Sequence, residues 1–181
     1  MILSRISCTK VFLYIISLKY FHTGIAAGGS YGEKGSGTNM LCLPHDPDSA
    51  PSDFPTKLEN AGMVARLWGA EYQFTYKTAA QDDDVPCAVC RVIDASSAIM
   101  IPAKNSCPSG WTRQYGGILC ADYHGYSASE YVCIDEDPQY FEGRRQNLDG
   151  RLFYPALTVC GSLPCPPYVN SKYVACSLCS R

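Results

Sequence analysis

A chain of 181 residues suits one domain, or two small ones sharing a core, and 46% hydrophobic against 18% charged residues lets it pack an interior. Net charge is −2 and sequence pI about 5.9, with neither a basic stripe nor an acidic tail, which argues against nucleic acid as a partner. Eleven cysteines are too many for a cytosol that keeps thiols reduced and ordinary for a secreted, crosslinked protein. In the chain-entropy model a bridge closing about seventy residues adds roughly 4 kcal/mol, so several would supply much of a small domain's stability.

The first element is an apolar run, residues 11–18, preceded by Arg5 and Lys10. It is too short to span a bilayer. It reads either as the hydrophobic region of a signal peptide, cleaved near Gly24-Ile25-Ala26-Ala27, or as a core β-strand. Residues 27–37 form a glycine-rich, turn-forming loop. Gly29, Gly32 and Gly35 fall at a period of three, but two triplets cannot make a triple helix. No P-loop ending follows them, so the loop is not a phosphate cradle. Residues 44–61, rich in Pro, Asp and Ser, are a surface loop.

Aromatic, partly alternating residues 67–76 are expected as a strand. Asp82, Asp83 and Asp84 make an acidic turn, with weak calcium binding as the lesser reading. Further strands are expected at 88–93, 98–101, 115–123, 131–134, 152–154 and 173–175, with a polar loop at 138–150. Thirteen Tyr, fifteen Gly and twelve Pro favour short strands joined by turns, and no stretch holds a helical period. The expected class is mainly β.

The cysteine order nearly repeats. Cys87-Ala88-Val89-Cys90 and Cys176-Ser177-Leu178-Cys179 lie 89 residues apart (87 to 176), and Cys42 and Cys133 lie 91 apart. A zinc ribbon separates its cysteine pairs by about 15–20 residues, far less than the gap between these. A thioredoxin-like thiol sits at a helix N-terminus, whereas Val85-Pro86 and Arg91-Val92-Ile93 give the first pair a strand context. The three histidines, His22, His45 and His124, join no nucleophile-elbow or His-Glu-x-x-His pattern, and no N-glycosylation sequon occurs. No catalytic, cofactor-binding or metal-binding residue is expected.

Several ordered blocks then carry a resemblance. Cys87-Ala88-Val89-Cys90, Ile101-Pro102, Cys107-Pro108-Ser109-Gly110-Trp111 and Tyr115-Gly116 resemble the C-terminal non-collagenous domain of type IV collagen. Leu41-Cys42-Leu43-Pro44, Gly69-Ala70-Glu71-Tyr72, Asp84-Val85-Pro86-Cys87 and residues 161–168 (Gly-Ser-Leu-Pro-Cys-Pro-Pro-Tyr) are closer to the related domain of invertebrate short-chain, spongin-like collagens. The resemblance runs from about Tyr20 to the C-terminus. It implies two tandem, disulfide-stapled β-rich half-repeats, at 20–90 and 91–181, after residues 1–19 that are a signal peptide or a remnant of the opening strand. It further implies the bridges Cys107–Cys179, Cys133–Cys176, Cys160–Cys165 and Cys42–Cys87. Cys8 matches the family's leading cysteine, so Cys8–Cys90 is the favoured fifth bridge, with Cys120 left free; if Cys8 departs with a signal peptide, Cys90–Cys120 is the remaining pairing.

The family's Gly-x-y tract does not precede the domain in this sequence, which leaves a truncated product or a stand-alone version. The expected function is non-enzymatic: a secreted, extracellular-matrix assembly domain that associates with itself, as a homo-oligomer, or with related collagen chains. Tyr31, Tyr76, Tyr126 and Tyr140 are the candidate surface aromatics. The alternative is a secreted module recognising carbohydrate or microbial surfaces. Neither reading calls for a cofactor or a membrane span.

Overall fold

The computed structural model describes residues 2–3, 18–55, 64–92 and 95–181. Among them are ten β-strands and no helix, so the chain is mainly β. The strands are β1 (Ile2–Leu3), β2 (Leu18–Gly28), β3 (Leu41–Pro44), β4 (Trp68–Tyr72), β5 (Pro86–Val92), β6 (Ala98–Pro102), β7 (Thr112–Ala121), β8 (Val132–Asp135), β9 (Arg151–Pro155) and β10 (Ala175–Ser180). The expected segments recur with shifted ends. β2 carries through Ala27 and Gly28, which the composition placed in the glycine loop. The strand expected at 67–76 stops at Tyr72, because residues 73–82 fold back: Tyr76 and Ala79 pair with each other, and Lys77 and Asp82 adopt positive φ. The last strand begins at Ala175, two residues beyond its expected start at Tyr173.

All ten strands join one curled sheet in the order β1-β5-β2-β4-β9-β7-β10-β6, with β3 added to β2 and β8 to β7. β2 pairs antiparallel with β5 along most of its length, with β3 over four residues, and with β4 at Ala27 and Gly28. β7 has matching partners: β10 along most of its length, β8 over four residues, and β9 at Cys120 and Ala121. The two groups meet at one parallel pairing, β4 with β9, in the register Ala70↔Arg151, Glu71↔Leu152 and Tyr72↔Phe153.

The curl follows from two glycines. Gly24 pairs with both Pro44 and Cys87, and Gly117 with both Asp135 and Cys176, so each sits between two flanking strands. In a flat sheet such flanking strands lie about 10 Å apart. Here the disulfides joining them, Cys42–Cys87 and Cys133–Cys176, hold Cα atoms 5.7 and 5.8 Å apart. The sheet therefore folds over β2 and β7, and a Cβ on Gly24 would sit 1.8 Å from the Leu43 carbonyl oxygen. On Gly117 it would sit 1.7 Å from that of Ile134.

Under the curl lie two cores. The larger draws Ala26, Ala70, Tyr72, Val85, Ile134 and Phe153 from both strand groups, and the smaller holds Tyr115, Leu119 and Leu178 around Cys133–Cys176. Their buried phenols are satisfied: Tyr72 donates to the Gln139 carbonyl at 2.9 Å and Tyr115 to that of Cys133 at 3.0 Å.

Gly117→Ala is expected to destabilise the fold by more than about 3 kcal/mol, since strand backbone must move to admit the methyl group. Gly69→Ala, whose Cβ meets nothing within 4 Å, is expected to stay within about 0.5 kcal/mol of the parent. Urea unfolding of the two variants checks the contrast.

Candidate functional site

Cysteine pairing sets the frame. The structure joins Cys42–Cys87, Cys107–Cys179, Cys133–Cys176 and Cys160–Cys165, the four pairs that the resemblance implied within the described residues. Cys90 is also disulfide-bonded, while Cys120 is a free, buried thiol, so the alternative Cys90–Cys120 bridge does not form. The favoured partner Cys8, like residues 11–17 of the apolar run, lies outside the described residues. Gly24 to Ala27, where signal cleavage was expected, lie within β2, with Ala26 and Ala27 buried.

Cys120 sits in the larger core against no solvent, and burial pushes its thiol up to about 12. A thiol at that value holds almost no nucleophilic thiolate at neutral pH. Among the described residues no group of three or more His, Cys, Asp or Glu side chains is placed to hold a metal ion. Asp83, from the acidic turn, instead accepts bonds from the Arg145 guanidinium at 2.8 and 3.2 Å and from the Ala80 amide at 2.7 Å.

The seam between β4 and β9 holds a buried ion pair. Arg151, the first residue of β9, pairs through Nη1 with Asp122, just past the end of β7; their side chains are 3% and 2% exposed. Arg151 Nη2 donates to the Thr38 carbonyl at 3.3 Å, and Asp122 Oδ1 accepts from the Leu152 amide at 3.3 Å. One ion pair thus ties together the glycine loop, the end of β7 and the start of β9. Beside it, buried Glu71 accepts from the Leu148 amide at 2.9 Å, and burial raises its carboxyl above the usual range.

The surface carries two aromatic or apolar features. Tyr31 and Tyr126, both singled out in the sequence, come together with ring centroids 4.6 Å apart, in a cluster with Tyr123, His124 and Tyr154. Tyr126 is exposed, whereas Tyr31, Tyr76 and Tyr140 are half-buried, and Tyr140 packs on the larger core. Tyr140 therefore packs one side on the core and keeps only part of its ring at the surface.

The second feature went unnoticed in the sequence. Residues 157–173 leave the sheet as an arm, closed at its tip by Cys160–Cys165. Its limbs are joined by Thr158 N–H to the Lys172 carbonyl at 3.0 Å and by Ser171 N–H to that of Thr158 at 2.8 Å. Every arm residue except Thr158 and Leu163 is exposed. Leu157, Val159, Val169 and Tyr173 stand 46%, 68%, 56% and 71% exposed, and a cavity of about 480 Å³ opens between the arm and Ala103-Lys104. Comparison with known protein families, with curated proteins and with solved structures finds no match.

Three outcomes follow from these environments. Asp122→Ala strands a buried guanidinium and is expected to cost about 3–5 kcal/mol, read by chemical denaturation. Cys120 is expected to resist a thiol reagent in the native protein and to react at once in denaturant. Glu71 has its folded pKa raised above the ordinary 4.5, so its charge costs stability as pH rises through that value towards the folded one. The melting temperature of Glu71→Gln relative to the parent is therefore expected to be higher at pH 7 than at pH 4, measured by thermal scans at both.

Proposed function

We propose that this protein is an extracellular-matrix assembly domain, secreted and disulfide-stapled, that associates with copies of itself or with related collagen chains. The observation that carries the reading is the arm. An isolated apolar residue on a surface means little, but several on one projecting, crosslinked segment form a patch of the kind that marks an interaction site. The tip disulfide and the cross-limb hydrogen bonds hold the arm in shape before contact, which lowers the ordering cost of association. Multiple disulfides are compatible with an oxidising, extracellular setting.

The collagen-like reading of two tandem half-repeats has its own support. β2 and β7 have equivalent partners, and Gly24 and Gly117 occupy the same place in each set, opposite Cys87 and Cys176. The register of the long pairing slips once in each group, three residues before that glycine. The arm and its Cys160–Cys165 bridge have no counterpart between β4 and β5, so association through the arm would use one half only.

Light scattering of the oxidised protein at micromolar concentration is expected to return an oligomer. Val159→Asp and Tyr173→Asp, each at an exposed position, are expected to weaken association at least tenfold while leaving the melting temperature within a few degrees. A monomer at every concentration tested would overturn the reading. The alternative, carbohydrate recognition, is favoured by the exposed rings of Tyr123 and Tyr126, on which a sugar face can stack. Specific glycan binding by a monomer would decide for it.

A further inference from the structure

Tyrosine rings are distributed unevenly over this molecule. Tyr31 follows the end of β2 in the glycine-rich loop, and Tyr126 lies in the turn between β7 and β8, 95 residues further on. The backbone fixes these two segments to each other. The Ser127 amide donates to the Tyr31 carbonyl at 3.1 Å, the Glu130 amide to that of Thr38 at 3.1 Å, and the Met40 amide to the Glu130 carboxylate at 3.0 Å. The Tyr31 amide is itself held by the Gly150 carbonyl at 2.8 Å. Both rings therefore have anchored Cα atoms, and their contact is not a chance meeting of two free side chains.

We propose that Tyr31 and Tyr126 form an oxidative crosslinking site, at which a haem peroxidase with hydrogen peroxide joins the two rings as an intramolecular dityrosine. The centroid separation of 4.6 Å is comparable to two ring radii plus one carbon–carbon bond, and the interplanar angle of 52° is a twist that linked phenol rings tolerate. Tyr126 is 40% exposed and is where a small oxidant reaches the pair. Its ring also meets that of Tyr154, with centroids 6.3 Å apart, so it is packed on a second side as well as against Tyr31.

The step balances. Each phenol gives up one electron and one proton, and the two electrons and two protons reduce one hydrogen peroxide to two waters. The resulting phenoxyl radicals share spin with the carbon beside the oxygen, and a carbon–carbon bond forms between those carbons. Each ring then transfers the hydrogen displaced there to its oxygen as a proton, restoring both phenols.

The product would be a covalent link of a different chemistry from the disulfides, placed where they provide none. All four bridges among the described residues lie within 42–87 or within 107–179. A Tyr31–Tyr126 bond would span from one group to the other, close to the β4–β9 seam. Unlike a disulfide it survives reduction. The site is independent of the proposed self-association, since it lies on the glycine loop and the β7–β8 turn and not on the arm.

The test treats the folded, oxidised protein with a haem peroxidase and hydrogen peroxide and isolates the monomer fraction by size. Dityrosine fluorescence is expected in that fraction, with mass spectrometry joining the peptides that carry Tyr31 and Tyr126, and with the melting temperature under reducing conditions raised. Tyr31→Phe and Tyr126→Phe, which keep both rings packed, are each expected to lose the monomer's dityrosine signal at least tenfold. Tyr131→Phe and Tyr173→Phe, at the more exposed but solitary tyrosines, are expected to leave it unchanged. Coupling that maps to other tyrosines, or that appears only between molecules, overturns the proposal. So does a monomer signal that persists in both Phe variants when circular dichroism shows them folded.

Discussion

Everything else in this fold depends on the parallel contact of β4 with β9. It is three residue pairs long, and parallel pairing is slightly less stable per residue than antiparallel. Backbone bonds alone are a thin connection for two strand groups that otherwise meet only through packing and loops. The buried pair of Arg151 and Asp122 compensates by fixing the start of β9 to the end of β7 and, through the Thr38 carbonyl, to the glycine loop after β2. A pair this deeply buried repays its desolvation only if its remaining donors and acceptors are satisfied. Most are, by backbone groups that only this arrangement brings into range; Arg151 Nε is the one left without a partner. The pair therefore specifies which elements meet more than it adds to net stability.

Around that seam, disulfides and glycines act in concert. Cys42–Cys87 and Cys133–Cys176 each pull together strands that a flat sheet would hold well apart, and Gly24 and Gly117 are the residues over which the sheet can close. Curling also buries much of the sheet's apolar surface, while the arm keeps Leu157, Val159, Val169 and Tyr173 exposed. Because Cys107–Cys179 ties down β10 directly after it, the arm projects from a fixed base. Assembly through such an element needs little rearrangement of the domain behind it.

The cysteines were the most legible part of the sequence, because spacing and type alone distinguish a crosslinked framework from zinc or redox chemistry. Strands β4 to β10 were legible to within a few residues, since β-branched and aromatic clusters between Gly and Pro survive in one dimension, whereas β3 and most of β2 were not expected as strands. The seam was not. Asp122 and Arg151 are 29 residues apart and unremarkable in type, and only the register of β7, β8 and β9 brings them together. Gly117 has a neighbouring glycine of the same appearance, and nothing in the sequence tells which of the two lies under the Ile134 carbonyl. Tyr140, expected on the surface, is half-buried against the larger core, as tyrosine serves cores and surfaces alike, while Tyr173, expected in the last strand, stands in solvent.

The claim on which the account rests is that the two strand groups form one cooperative body through β4 and β9. Native-state hydrogen exchange tests it most directly, read at amides on both sides of the seam, including Gln73, which donates to the Phe153 carbonyl at 3.0 Å. The account predicts that Gln73 and its seam neighbours exchange only by the same global opening as the central amides of β2 and β7. Seam amides that exchange through a lower-energy opening, with β2 and β7 still protected, would contradict it.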